Sequence, residues 1–123
     1  MKSLEYNTGE KGLGAVLKDW EEAALKVLWR SKAGLNSRQV WQKVNEKLSP
    51  ETISRASIIN FLEDIREMGI LSGVQETGKG GYHLVYSPVM DESGLRKHIA
   101  ETLISCLTRD FPEETKNASK NVS

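Results

Sequence analysis

The stretch that decides the fold is ETGKGGYHLVYSP, residues 76–88, where three glycines fall within four positions before an aromatic and branched run. Residues 70–76 and 82–86 have the composition of short β-strands. The glycines between them allow the positive φ angles that a tight turn requires, and Ser87-Pro88 ends the second strand. The sequence therefore predicts a β-hairpin whose tip carries Lys79.

A glycine-rich loop can also bind a phosphate group. That function requires a helix to begin directly after the glycines, because the helix N-terminus supplies the N–H groups and the positive end of the dipole. The residues after Gly81 have the composition of a strand. The hairpin is therefore favoured over the phosphate loop.

Three helices are predicted before the hairpin, each from apolar residues that recur on one helical face. The first covers residues 17–30, with the spacing Trp20, Ala24, Val27, Leu28. The second begins near Asn36 or Ser37, either of which can cap it, and has on one side Val40, Trp41, Val44 and Leu48. The third buries Ile58, Phe61, Leu62 and Ile65.

The sequence predicts the end of the third helix clearly but leaves two possible starts. Gly69 suits the left-handed residue that follows many helices. At the start, Ser49 could cap with Pro50 in the first turn, or Ser54 could cap after a separate turn. We favour Ser54.

The segments outside this core complete the predicted organisation. Residues 1–14 show no periodicity and are expected to be flexible, residues 15–90 form the main domain, and residues 112–123 are polar and expected to be disordered. Residues 91–111 form a last helix with an apolar stripe too wide for one neighbour. A second copy of the chain would cover the rest, through Leu95, Ile99, Leu103, Cys106, Leu107 and Phe111.

Composition and charge narrow the class of protein. No run of about 18 apolar residues and no secretory signal is present, and the one cysteine suits a reducing cytoplasm. Net charge is zero, but residues 30–60 hold six basic and two acidic residues, whereas residues 91–114 hold three and six. No catalytic triad, paired carboxylates or metal-ligand spacing is recognisable. We expect no enzyme, no cofactor and no bound metal.

Three helices followed by a hairpin is the order of a winged helix-turn-helix domain, so the expected fold class is α+β, mainly helical. In such a domain the third helix presents its N-terminal residues to base edges in the major groove. Arg55 suits guanine and Asn60 suits adenine. The full set expected to contact double-stranded DNA is Arg38, Lys43, Ser54, Arg55, Ala56, Ser57, Asn60, Lys79 and His83.

The chain resembles the penicillinase-repressor group of winged-helix regulators, which includes the methicillin-resistance and copper-operon repressors. The resemblance covers about residues 17–107. It is carried by ALKVLW (24–29), SRQVWQKVNE (37–46), SRASIINFLEDIREMGIL (54–71) and LVYSP (84–88). It implies a homodimer that binds a palindromic operator and represses transcription, with the last helix forming the dimer.

Several positions depart from the pattern of that group. Arg55-Ala56-Ser57 stands where Tyr-Thr-Thr is common, Leu84 stands where an aromatic residue is usual, and about four residues are inserted near PETI. The Asn-Phe bond that is cleaved in penicillinase repressors has no counterpart in the last helix, and the paired cysteines of the copper-responsive members are missing. Induction by proteolysis or by metal is therefore not implied.

The zero net charge and the acidic C-terminal part motivate an alternative function. A winged helix can serve as a protein–protein interaction module without sequence-specific DNA binding. Salt dependence separates the two functions, because DNA binding that neutralises phosphates weakens steeply with salt.

Overall fold

The computed structural model describes residues 3–78 and 81–122, with only the backbone described at Tyr82. The chain divides into two compact units, the first ending at Asp91 and the second starting at Glu92. The elements are a 3₁₀ helix (Gly12–Ala15), α1 (Asp19–Arg30), α2 (Ser37–Leu48), α3 (Arg55–Glu67), β1 (Leu71–Gly78), β2 (Gly81–Pro88), α4 (Glu92–Asp110) and α5 (Pro112–Ser119). The predicted α+β, mainly helical class is confirmed.

Local side-chain hydrogen bonds determine where α2 and α3 begin. Asn36 Oδ1 accepts from the Gln39 N–H at 2.8 Å, and Gln39 Oε1 accepts from the Asn36 N–H at 2.9 Å, so each satisfies a backbone donor of the other. Ser54 Oγ accepts from the Ser57 N–H at 3.1 Å, which confirms Ser54 as the cap of α3. Gly69 follows α3 with a φ of +82°, as expected.

Most of the apolar positions that the spacing predicted lie in the helical core of the first unit. Trp20, Trp41 and Leu48 are half-buried, and Leu25 is buried although it was not among the predicted positions. The four inward positions expected on α3 are all buried. Removing each such apolar side chain from water contributes about 1.5–3 kcal/mol. Trp20 packs edge-on against Phe61, with ring centroids 5.5 Å apart. The buried helical side chains are Ala24, Leu25, Val27, Leu28, Val40, Val44, Ile58, Phe61, Leu62 and Ile65.

The hairpin pairs β1 and β2 antiparallel, from Leu71 opposite Pro88 to Gly78 opposite Gly81. Both strands are longer than predicted. Leu71 and Tyr86 are on the buried face, whereas Val74 on the other face is 60% exposed. The predicted tip residue Lys79 lies outside the described residues.

A third segment joins the hairpin, which the sequence did not reveal. The Leu35 N–H donates to the Tyr86 carbonyl at 2.9 Å, and the Tyr86 N–H donates to the Leu35 carbonyl at 2.8 Å. Gly34 brings the chain to this bridge with a φ of +78°. A Cβ atom at Gly34 would lie 2.6 Å from Ser87 Oγ and 2.8 Å from the Tyr86 carbonyl oxygen. Only glycine fits there without displacing β2.

The expectation of a flexible N-terminus is wrong for residues 7–14. The Asn7 N–H donates to the Ala15 carbonyl at 2.7 Å, and the 3₁₀ helix between them places Leu13 and Ala15 in buried positions. Two buried apolar side chains are enough to order a segment too short to show periodicity.

The expectation of a disordered tail is likewise wrong for residues 112–119, which form α5. Pro112 occupies its first turn, where the missing N–H costs nothing. Glu113 and Glu114 follow in the first turn and Lys116 is in the last, so the charges complement the helix dipole. No side chain of α5 is buried. Within the described residues, no helix is both long and apolar enough to cross a membrane.

Substitution of three glycines by alanine tests the close approach at Gly34. Gly69 also has positive φ but has open space around its Cβ direction, and Gly14 has open space and no positive φ. A left-handed alanine costs about 1–2 kcal/mol. We expect Gly34→Ala to lose more unfolding free energy than Gly69→Ala in urea titrations, and Gly14→Ala to lose none. Equal losses at Gly34 and Gly69 would show that contact with β2 contributes nothing.

Candidate nucleic-acid interface

The turn that leads into α3 is held by two side chains of α2. Trp41 Nε1–H donates to the Ile53 carbonyl at 2.9 Å, and Asn45 Nδ2 donates to the same oxygen at 3.3 Å. Asn45 Oδ1 accepts in return from the Ile53 N–H at 2.8 Å. Because Ile53 directly precedes the capping Ser54, these bonds set the position at which α3 starts relative to α2.

The N-terminal half of α3 presents an exposed face next to that turn. Arg55, Ala56, Ile59 and Asn60 are exposed. Neither Arg55 nor Asn60 forms a hydrogen bond or an ion pair with a described residue, so five guanidinium donors and a complete amide remain open to a ligand. The structure therefore gathers most of the α3 residues predicted to contact DNA on one accessible end of the helix.

The two serines at this end of α3 hydrogen-bond to each other in the helix cap. Ser54 Oγ–H donates to Ser57 Oγ at 2.9 Å, in addition to accepting from the Ser57 N–H. Ser54 thus uses both hydrogen-bonding roles within the cap. Ser57 is half-buried and keeps its own hydroxyl proton as a donor. Of the predicted pair, Ser57 is the better placed to contact a ligand.

Positive charge extends over α2 and α1. Arg38 and Lys43 are exposed on α2, and neither is paired with a described acidic residue. At the end of α2, partial burial and then repulsion from Arg30 and Lys26 lower the pKa of Lys47. A nearby like charge disfavours the charged form of a lysine. The basic character read from residues 30–60 is thus a feature of the folded surface.

The C-terminal half of α3 is acidic and is tied to the hairpin. Tyr86 Oη–H donates to Glu63 Oε2 at 2.7 Å, and Arg66 Nη1 is 3.1 Å from Glu63 Oε1. Arg66 also lies against β1, since a Cβ at Gly73 would be 2.9 Å from Arg66 Nε. Burial, together with the Glu63 carboxylate, raises the pKa of Tyr86.

The sequence did not identify Glu63 as a positioning residue. Its i,i+3 spacing to Arg66 predicts the ion pair, but Tyr86 lies 23 positions away along the chain. The hydroxyl and the guanidinium satisfy the carboxylate, which reduces its repulsion of any anion bound near α3.

Two hairpin residues, His83 and Lys79, are predicted to contact DNA. His83 is opposite Glu76 and points to the face of the hairpin away from Tyr86. A carboxylate beside it counts against phosphate binding there. Lys79 lies outside the described residues, so its predicted role stays a prediction.

Within the second unit, the predicted dimer residues fall into two groups. Leu95 and Ile99 are buried in the single chain, which leaves them little surface for a partner. Leu103 and Cys106 are half-buried, whereas Leu107 and Phe111 are exposed. Ile104 is 59% exposed and was not among the predicted residues. The large exposed apolar side chains at the end of α4 and directly after it are therefore Ile104, Leu107 and Phe111.

No protein-family model matches this chain, and no curated protein matches it either. The resemblance to the penicillinase-repressor group stays a prediction that rests on its motifs. Among the described residues, no three His, Cys, Asp or Glu side chains are grouped as metal ligands would be.

The Tyr86–Glu63 bond predicts a specific pH dependence. The folded pKa of Tyr86 is raised above the ordinary 10.0, so its stabilising contribution is complete below that pH and is lost as the unfolded phenol ionises above it. We expect Tyr86→Phe to cost about 1 kcal/mol of unfolding free energy at neutral pH. The difference from wild type should shrink above about pH 10.

Chemical denaturation from about pH 7 to pH 11 measures this difference. Tyr6→Phe, which removes the hydroxyl of an exposed tyrosine, is the matched control and should leave the unfolding free energy unchanged at neutral pH. A Tyr86→Phe deficit that stays constant across the whole range would show that the hydroxyl is not held as a neutral donor to Glu63.

Proposed function

We propose that this protein is a sequence-specific DNA-binding transcriptional regulator of the winged helix-turn-helix class. In this proposal α2 and α3 are the helix-turn-helix, α3 enters the major groove, and the hairpin is the wing. The observation that carries it is the exposed N-terminal half of α3, where Arg55 and Asn60 have no partner among the described residues and the helix start is held by α2.

Base recognition follows from the chemistry of these two side chains. Arg55 can donate two parallel hydrogen bonds to guanine O6 and N7, and Asn60 can bond adenine N6 and N7. Each bidentate contact contributes about 1–3 kcal/mol of discrimination against a wrong base. Rigid support by α2 favours such contacts, because bidentate geometry tolerates little displacement.

The distribution of charge supports the same orientation of α3. Arg38 and Lys43 supply cations for the DNA backbone on the neighbouring helix. Glu63 lies eight residues beyond Arg55, about 12 Å further along the helix axis, and its carboxylate is already engaged. The donor-rich end would therefore approach the DNA, while the acidic end would stay with the hairpin.

A homodimer is the second part of the proposal. Ile104 and Leu107 in the last two turns of α4, and Phe111 directly after it, expose apolar surface, which a second copy of this segment would cover in a two-fold symmetric contact. Two copies of α3 would then read the halves of a palindromic operator. Repression is the mode of action that the family resemblance implies, and the single cysteine suits action in the cytoplasm.

Selection from a random double-stranded DNA pool tests the class of function. We expect one enriched sequence with internal two-fold symmetry. Its affinity, measured by fluorescence anisotropy, should fall by about 10³–10⁵ between 50 and 200 mM salt if a dimer neutralises about 6–10 phosphates. Enrichment of no sequence would favour the alternative, a protein-interaction module.

Arg55→Ala tests the role of α3 in base reading. We expect weaker binding by about 1–3 kcal/mol per half-site and relaxed preference at one base pair, with unchanged thermal unfolding because Arg55 is exposed. Arg30→Ala is the control, because it removes the same charge from the last turn of α1. It should lower the affinity for all DNA sequences by a similar small amount. Loss of stability in Arg55→Ala would indicate a structural role instead.

Leu107→Glu tests the dimer contact. Since Leu107 is exposed in the single chain, a carboxylate there should leave the fold intact but should be unfavourable in an apolar interface. We expect monomers by light scattering and loss of operator binding. Ser105→Glu introduces the same charge on the opposite side of α4 and should remain dimeric. Dimers in both variants would place the interface elsewhere.

A further inference from the structure

The exposed face of α3 carries apolar side chains among its hydrogen-bond donors. Ile59 is 37% exposed, whereas Ile58 and Ile65 of the same helix are buried. Ala56 precedes Ile59 by three residues, so the two lie on the same side of the helix. Isoleucine is among the residue types most often buried, yet here it is exposed between the positions of Arg55 and Asn60.

Because Ile59 lies between the polar side chains of Arg55 and Asn60, only certain kinds of surface can cover it favourably. An apolar protein surface would remove Arg55 and Asn60 from water without giving them acceptors, which costs free energy for each unpaired group. The DNA major groove offers both kinds of contact on one surface. It displays acceptor and donor atoms on every base pair and one apolar group, the C5-methyl of thymine.

We propose that Ile59, together with Ala56, contacts thymine C5-methyl groups, so that the recognised DNA has thymine beside the base pairs read by Arg55 and Asn60. This inference rests on the proposed function. Residues three apart are separated by about 4.5 Å along the helix, compared with about 3.4 Å between successive base pairs. Ala56 and Ile59 therefore reach methyl groups on neighbouring base pairs.

Deoxyuridine tests the inference because it differs from thymidine only in lacking the C5-methyl. The full-length chain first selects a binding sequence, and each thymine is then replaced singly by deoxyuridine. Burial of one methyl group corresponds to a factor of about four in affinity. We expect this loss for the wild-type chain at one or two thymines in each half-site, and no loss for Ile59→Ala at the thymine that Ile59 contacts.

Two further variants keep the comparison decisive. Ile59→Gln retains side-chain bulk and helix propensity but removes the apolar contact, so it should behave as Ile59→Ala does. Val74→Ala shortens another exposed aliphatic residue, on β1, and should keep the wild-type response to deoxyuridine. Because Ile59 is exposed, thermal unfolding should be close to wild type in all three variants.

The possible failures are distinguishable. If wild type and both Ile59 variants lose the same affinity at every deoxyuridine, or if wild type loses none, the methyl contact is overturned. The selected sequence and its dependence on Arg55 would still uphold the proposed function. If no sequence is selected at all, both the inference and the proposed function are overturned.

Discussion

The arrangement of the first unit depends on Tyr86, which joins three segments distant in sequence. Its backbone pairs in both directions with Leu35, and its hydroxyl donates to Glu63 on α3. A hairpin of two strands is at best marginally stable alone in water. Here the buried tyrosine anchors the hairpin to the segment before α2 and to the acidic half of α3. Burial and the Glu63 carboxylate raise the pKa of its hydroxyl, so the phenol stays neutral and donates its proton to Glu63.

The two ends of α3 are held by different elements, and this division leaves one part of the helix free. At the start, Trp41 and Asn45 bind the backbone of Ile53. At the far end, Glu63 and Arg66 contact each other and the hairpin. Glu63 and Arg66 in the C-terminal half are thus used within the fold, whereas Arg55 and Asn60 in the N-terminal half have no partner among the described residues. A helix restrained at both ends keeps the backbone of its open residues in place, so that binding does not have to order it.

Features determined by short spacing were predictable, and features determined by distant contacts were not. The inward positions of α3 and the Ser54 cap follow from residues within one or two turns, so the outward face with Arg55 and Asn60 followed as well. The bridge of Leu35 to Tyr86 involves single residues and has no periodicity to reveal it. The apolar stripe of α4 was visible in the sequence, but which part is covered within the chain depends on folding. Ile59 was overlooked because an apolar residue in a helix suggests core by default.

The zero net charge of the chain would affect how the proposed DNA-binding surface discriminates among DNA sequences. Non-specific affinity comes almost entirely from phosphate neutralisation, and only residues 30–60 carry a clear positive excess. Charges more than about 10 Å away are largely screened at ordinary ionic strength, so local cations still suffice for docking on the backbone. A modest electrostatic contribution lowers binding to all sequences alike. The ratio of specific to non-specific affinity would then depend mainly on base contacts, and under the proposed function the exposed half of α3 would supply them.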